Sequence, residues 1–218
     1  PTPSSIVADG VSTSTVTSGV IRDVYGNSVE NGTLITVATD RGAITTADAS
    51  GAYAGIQVAT VNGVISFTVQ SSTTVGTANV TAASVQGSAS GSTQITFIPG
   101  PPAGTITLTP SPSGIVANGT TTSTVTSGVI TDAYGNTVSN GTLITVATNL
   151  GTITTADADA GTPGIQVATG SGLISFVVLA GTVAGTANVT AASVLGSASG
   201  STQITFLPGP PSGTFTLT

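Results

Sequence analysis

The chain has 218 residues, enough for two ordinary domains of about 100 residues each. Charged residues make up only 5%: eight acids against Arg22 and Arg41, with no lysine, histidine or cysteine, for a net charge of −6. That balance excludes nucleic-acid binding and disfavours anionic membranes, since both need cations to displace counterions, and it removes disulfides and thiolate metal sites.

Trp and Met are absent too, so any core must be built from Val, Ile, Leu, Ala and five Phe. No apolar run approaches the ~20 residues needed to span a bilayer as a helix. Self-comparison dominates everything else. A shift of 109 residues lays residues 1–109 on residues 110–218 without a gap, with 79 of 109 pairs identical. That period is too long for a solenoid coil or a propeller blade and matches a complete domain.

Along the first copy, period-two runs predict strands over residues 13–21, 33–39, 55–60, 64–69, 77–84 and 93–98. Val16 and Val20 form one inward row, Val80 and Ala82 another, Ile95 and Phe97 a third. Ile65, Phe67 and Val69 face inward between Ser66 and Thr68; Thr68 becomes Val177 in the second copy, while Ile174, Phe176 and Val178 stay apolar. After the first of these strands come Asp23-Val24-Tyr25-Gly26-Asn27 and its repeat Asp132-Ala133-Tyr134-Gly135-Asn136. Asp accepts hydrogen bonds from turn amides, and Gly and Asn tolerate positive φ, so both read as turns. Asn31-Gly32 and Asn140-Gly141 mark a further turn. No helical apolar period is present. Seven to nine short strands per copy predict an all-β chain of two tandem β-sandwich modules.

Pro99-Gly100-Pro101-Pro102 and Pro208-Gly209-Pro210-Pro211 cannot continue a ladder and predict short, stiff joints. Gly104-Thr105-Ile106-Thr107-Leu108-Thr109 reads as a strand entering the second copy. Its equivalent, Gly213-Thr214-Phe215-Thr216-Leu217-Thr218, has no module after it. The expected organisation is therefore residues 1–103 as a first repeat lacking its opening strand, 104–212 as a second repeat, and 213–218 as the opening strand of another.

The ordered motifs of each copy resemble the invasin/intimin-type bacterial Ig-like domain. Ile6-Val7-Ala8-Asp9-Gly10 precedes a Thr/Val strand and is followed by Asp23-x-x-Gly26-Asn27-x-Val29. Asn31-Gly32-Thr33 then leads into Ile35-Thr36-Val37-Ala38-Thr39, Gly63 opens Ile65-Ser66-Phe67, and Gly76-Thr77-Ala78-Asn79-Val80-Thr81-Ala82 completes the set. The resemblance implies two tandem immunoglobulin-like β-sandwiches. It also implies a stalk of serial modules, outside the cell on a bacterial or archaeal surface, that holds a distal adhesive domain away from the cell.

Catalysis is not expected, because the usual proton-transfer groups are missing and Glu30 and Asp40 become Ser139 and Asn149 in the second copy. No cofactor is expected. Asp23, Asn27, Asp132 and Asn136 are weak calcium candidates, since calcium takes six to eight oxygens, usually several from carboxylates, and each turn offers few. Asn31, Asn79, Asn118, Asn140 and Asn188 each begin an Asn-x-Thr acceptor that an N-glycosylating cell would read. Partners are expected to be neighbouring repeats of the same chain, with neither nucleic acid nor membrane insertion. An alternative is a self-assembling extracellular filament or sheath of identical chains, with Gly213, Thr214, Phe215, Thr216, Leu217 and Thr218 as a donor strand that completes the next chain.

Overall fold

The computed structural model describes residues 1–217; Thr218, the last residue of the expected donor strand, lies outside them. The chain divides into two compact units, Pro1–Gly100 and Pro101–Thr218. Every regular element among the described residues is a β-strand.

The first unit contains β1 (Ser5–Val7), β2 (Thr13–Thr17), β3 (Leu34–Thr39), β4 (Ala43–Ile44), β5 (Ile56–Ala59), β6 (Ser66–Gln70), β7 (Gly76–Ser84) and β8 (Ser90–Ile98). One sheet has the order β1-β8-β7-β3-β5 and the other β2-β6-β4. Alternation drives both. Val16, Phe67, Val69, Val80, Ile95 and Phe97 point into one core cluster while their neighbours face water. The alternation also turns Ser14 inward, where its hydroxyl is satisfied by donating to the Pro3 carbonyl oxygen at 2.6 Å.

The second unit contains β9 (Leu108–Ser111), β10 (Gly114–Val116), β11 (Thr122–Ser127), β12 (Leu143–Thr148), β13 (Thr152–Ile153), β14 (Ile165–Ala168), β15 (Ser175–Leu179), β16 (Gly185–Ser193) and β17 (Ser199–Leu207). Its sheets are β10-β17-β16-β12-β14 and β13-β15-β11-β9. Pro110 is tolerated in β9 because that strand is an edge, where a missing donor costs no ladder bond.

Two expectations need correction. The first strand ends at Thr17, and Val20 is 46% exposed rather than inward, because residues 18–22 leave the sheet to reach the Asp23 turn. The last strand of the first copy starts at Ser90, three residues before its predicted start, so Gly91 lies inside a strand. Period-two reading also missed β1 and β4, which are too short to show alternation. Residues 101–103, assigned above to the first repeat, are bonded into the second unit: the Pro102 oxygen accepts from Ser197 and Ala198, and Ala103 donates to the Thr131 oxygen.

Candidate functional site

In the second unit, residues 102–111 close the seam between the two sheets. The Ile106 N–H donates to the Ser199 oxygen at 2.8 Å, and the Ser199 N–H donates to the Gly104 oxygen at 3.1 Å. Apart from an isolated Thr105 bridge to Ser199, residues 104–107 are not the strand expected from the sequence; the chain then crosses to the opposite sheet, where the Gly128 N–H donates to the Thr107 oxygen at 2.9 Å and β9 pairs antiparallel with β11. Its alternating Ile106 and Leu108 fall inward, 2% and 8% exposed, into the same cluster as Val125, Ile174, Phe176, Val189 and Ala191.

The equivalent seam of the first unit is open. A groove of about 250 Å³ is lined by Val16, Ile65, Phe67, Val80, Ala82 and Gly91. It shares Gly19, Ile65 and Gly91 with an adjoining cleft of about 320 Å³ that reaches Ile21 and Ala89. The first six residues are the counterparts of Val125, Ile174, Phe176, Val189, Ala191 and Gly200. Ala82 and Ala89 are more exposed than their buried counterparts Ala191 and Ala198. The same contrast holds for the Asp23 turn, exposed in the first unit, whereas Asp132 and Asn136 are buried.

In the second unit, glycine marks where segment 102–111 passes closely. A Cβ on Gly200 would overlap the Ile106 carbonyl oxygen, and one on Gly196 would overlap the Pro102 oxygen. A Cβ on Gly91 would meet nothing within 4 Å. Gly91 is not among the positive-φ glycines, so its backbone conformation does not require glycine. Sequence reasoning did not single out this groove. The available signal was Ser90-Gly91-Ser92, an isolated glycine inside a Ser/Thr strand, kept in both copies.

The predicted polar positions form turns. The Asp23 carboxylate accepts from the Tyr25 and Asn27 amides at 2.9 and 2.8 Å and from the Asn27 side chain at 3.1 Å. The bonds from Asn27 hold its carboxyl below the usual carboxylate range. Asp132 repeats the arrangement with Tyr134 and Asn136 at 2.9 Å. Among the described residues, no three His, Cys, Asp or Glu side chains converge as a metal cluster. All five glycosylation candidates are exposed. Asn31 and Asn140 accept from the Asn62 and Ser171 amides at 2.6 and 2.7 Å, and Asn118 caps its turn by accepting from the amides of Thr120 and Thr121. The Asn79 amide nitrogen donates to Asp40 at 2.7 Å, and Asn188 accepts from Gln203 at 3.0 Å.

Carboxylates are concentrated where the second copy has amides. Desolvation opposes ionisation of Asp9, but bonds from Ser12, Val11 and Ser71 outweigh it and bring the carboxyl down to about 2. Asn79, through its side chain and its amide, lowers Asp40. The counterparts Asn118 and Asn149 keep equivalent backbone bonds without titrating. A carboxyl with a depressed folded pKa stabilises above its unfolded value, near 4, and loses that stabilisation as pH falls through the folded value. Urea unfolding at about pH 5 and pH 2, read by amide NMR of each unit, should therefore show the larger acid loss in the first unit. Equal losses would contradict the assignment.

No protein-family model matches the chain, and no curated protein matches it in sequence. Solved structures do match. The crystal structure of invasin, described as a bacterial integrin-binding protein, is 24% identical over 94% of this chain and 38% of its own, with a TM-score of 0.63. Yersinia pseudotuberculosis InvD is 22% identical over 99% of this chain and 58% of its own, TM-score 0.58. The Escherichia coli adhesin FdeC is 18% identical over 95% of this chain and 62% of its own, TM-score 0.55. The chain thus spans less than two thirds of each. With its all-β sheets and their order, this likeness gives the chain the invasin/intimin-type bacterial Ig-like fold.

Proposed function

We propose that this chain is a non-catalytic, force-carrying spacer in an extended stalk of an adhesin-like protein on a bacterial surface. The observation that carries the reading is the parallel pairing of an early strand with the last strand in each unit, β1 with β8 and β10 with β17. Tension enters β10 at its start and leaves β17 at its end. Because the two strands run the same way, pulling shears their hydrogen bonds together instead of peeling them one at a time.

The turns fit the same reading as structural features rather than calcium sites, since both Asp23 oxygens are already engaged by Tyr25 and Asn27. The adhesin FdeC and integrin-binding invasin share the fold, which supports a surface-protein context.

Single-molecule pulling on the whole chain should give two rupture steps, each releasing about 100 residues, or roughly 35 nm of contour. Ala117→Pro removes the donor of the 2.8 Å bond to the Leu207 oxygen at the end of the parallel pair. It should lower the rupture force of the second unit only. Rupture forces unaffected by Ala117→Pro would sink the reading.

A further inference from the structure

We propose that the cleft beside Tyr53 in the first unit is a binding subsite for one neutral sugar ring. Positions 50–54 all differ from 159–163, whereas the flanking residues 45–49 and 55–60 are identical to 154–158 and 164–169. The two copies therefore share a loop frame and vary its tip. Gln57 supplies that frame. It is fully buried, its backbone amide donates to the Asp48 carboxylate at 2.9 Å, and its side-chain nitrogen donates to the Ala54 oxygen at 3.0 Å. The Ala49 N–H donates to the Gln57 oxygen at 2.8 Å. Gln166 holds the second loop in the same way, through Asp157 and the Pro163 oxygen.

In the first unit the varied tip carries Tyr53, which lines a cleft of about 230 Å³ with Gly32, Thr33, Leu34, Val85 and Gln86. The β7–β8 hairpin is fixed beside Leu34 by the Val85 N–H, which donates to the Leu34 oxygen at 3.0 Å. Four of the six lining residues recur in the second copy; Thr162 stands in place of Tyr53 and Leu195 in place of Gln86. Thr142 and Leu143 are half-buried, as Thr33 and Leu34 are, although residues 101–103 are bonded into the second unit. A segment in that position thus leaves the floor uncovered.

No lining residue is charged, so the cleft suits a neutral ligand. Its volume lies below the roughly 300–1,000 Å³ of pockets for drug-sized molecules, which leaves room for a single ring. Tyr53 is 42% exposed, and the negative face of its ring attracts the slightly positive C–H groups on one side of a sugar. The Gln86 side chain makes no hydrogen bond among the described residues. Its amide both donates and accepts, as sugar hydroxyls do. A peptide would need a strand edge or a row of alternate pockets, and this is one short recess.

The test is a titration of the full chain with three neutral probes: methyl β-D-galactopyranoside, methyl β-D-glucopyranoside and methyl α-D-mannopyranoside. At least one should shift the amide NMR signals of Gly32, Thr33, Tyr53 and Gln86 saturably, at roughly millimolar concentration. Signals of Gly141, Thr142, Thr162 and Leu195 should stay still. Tyr53→Thr and Gln86→Leu install the residues that the second unit already folds with. Each should weaken binding by about tenfold, with the remaining spectrum unchanged. N-acetylneuraminic acid, which is anionic, should not bind. No saturable shift with any of the three glycosides would overturn the proposal, as would shifts that survive both substitutions. Binding of the anionic sugar as tight as that of the neutral ones would overturn it too. So would a capped neutral dipeptide moving these signals where the glycosides do not, which would assign the cleft to peptide. The titration reads no force, so it and the rupture test of the stalk reading fail separately.

Discussion

Gly200→Val is expected to destabilise the second unit by about 3–5 kcal/mol, while Gly91→Val should change the first unit by less than ~1 kcal/mol. The two positions are equivalent, lie within matching strands and have no positive φ, so intrinsic propensity treats them alike. They differ in what lies beside them. A side chain at Gly200 must displace the Ile106 carbonyl, which breaks the exchange with Ser199 and lifts Ile106 out of the core. Re-exposing an isoleucine costs about 1.5–3 kcal/mol, and each lost hydrogen bond adds about 0.5–1.5 kcal/mol. At Gly91 the added methyl groups enter an empty groove. Hydrogen exchange in dilute solution, read over β17 and β8, measures both effects in the full chain. Equal losses at the two sites would show that the second unit does not depend on its seam-closing strand.

Phe206→Ala is expected to cost about 3–5 kcal/mol, a large share of the 5–15 kcal/mol that holds an ordinary domain folded. Phe206 is 1% exposed and sits in a cluster made otherwise of Ile, Val, Leu and Ala around one further ring, Phe176. Those β-branched neighbours have few rotamers with which to collapse into the space, and the chain has no methionine to flow into it. Urea unfolding monitored by NMR signals of β16 should show the second unit unfolding at much lower denaturant, with the first unit unmoved. A loss below ~1 kcal/mol would mean that the cavity closes by repacking.

The Asp9 and Asp23 turns show how far local chemistry carries. Asp with Gly and Asn at close spacing predicts backbone capping, and the structure realises that capping within a few residues of Asp9 and Asp23, whereas Asp40 is bonded by Asn79 on a distant strand. Capping is short-range, so it is legible. The strand interiors were legible for a related reason: alternation is local, and Ile65, Phe67 and Val69 could face only one way together.

The 109-residue repeat, the all-β class, the turn chemistry and the inward rows were determined by the sequence alone, because each follows from identity, period or spacing between near neighbours. Only the tertiary structure decided the short strands β1 and β4, the inward turn of Ser14 and the exposure of Val20. It also decided how closely the Ile106 and Pro102 carbonyls of the second unit pass Gly200 and Gly196. Those features depend on which backbone passes which, and a glycine that admits a neighbouring strand reads the same in a sequence whether or not the strand is there.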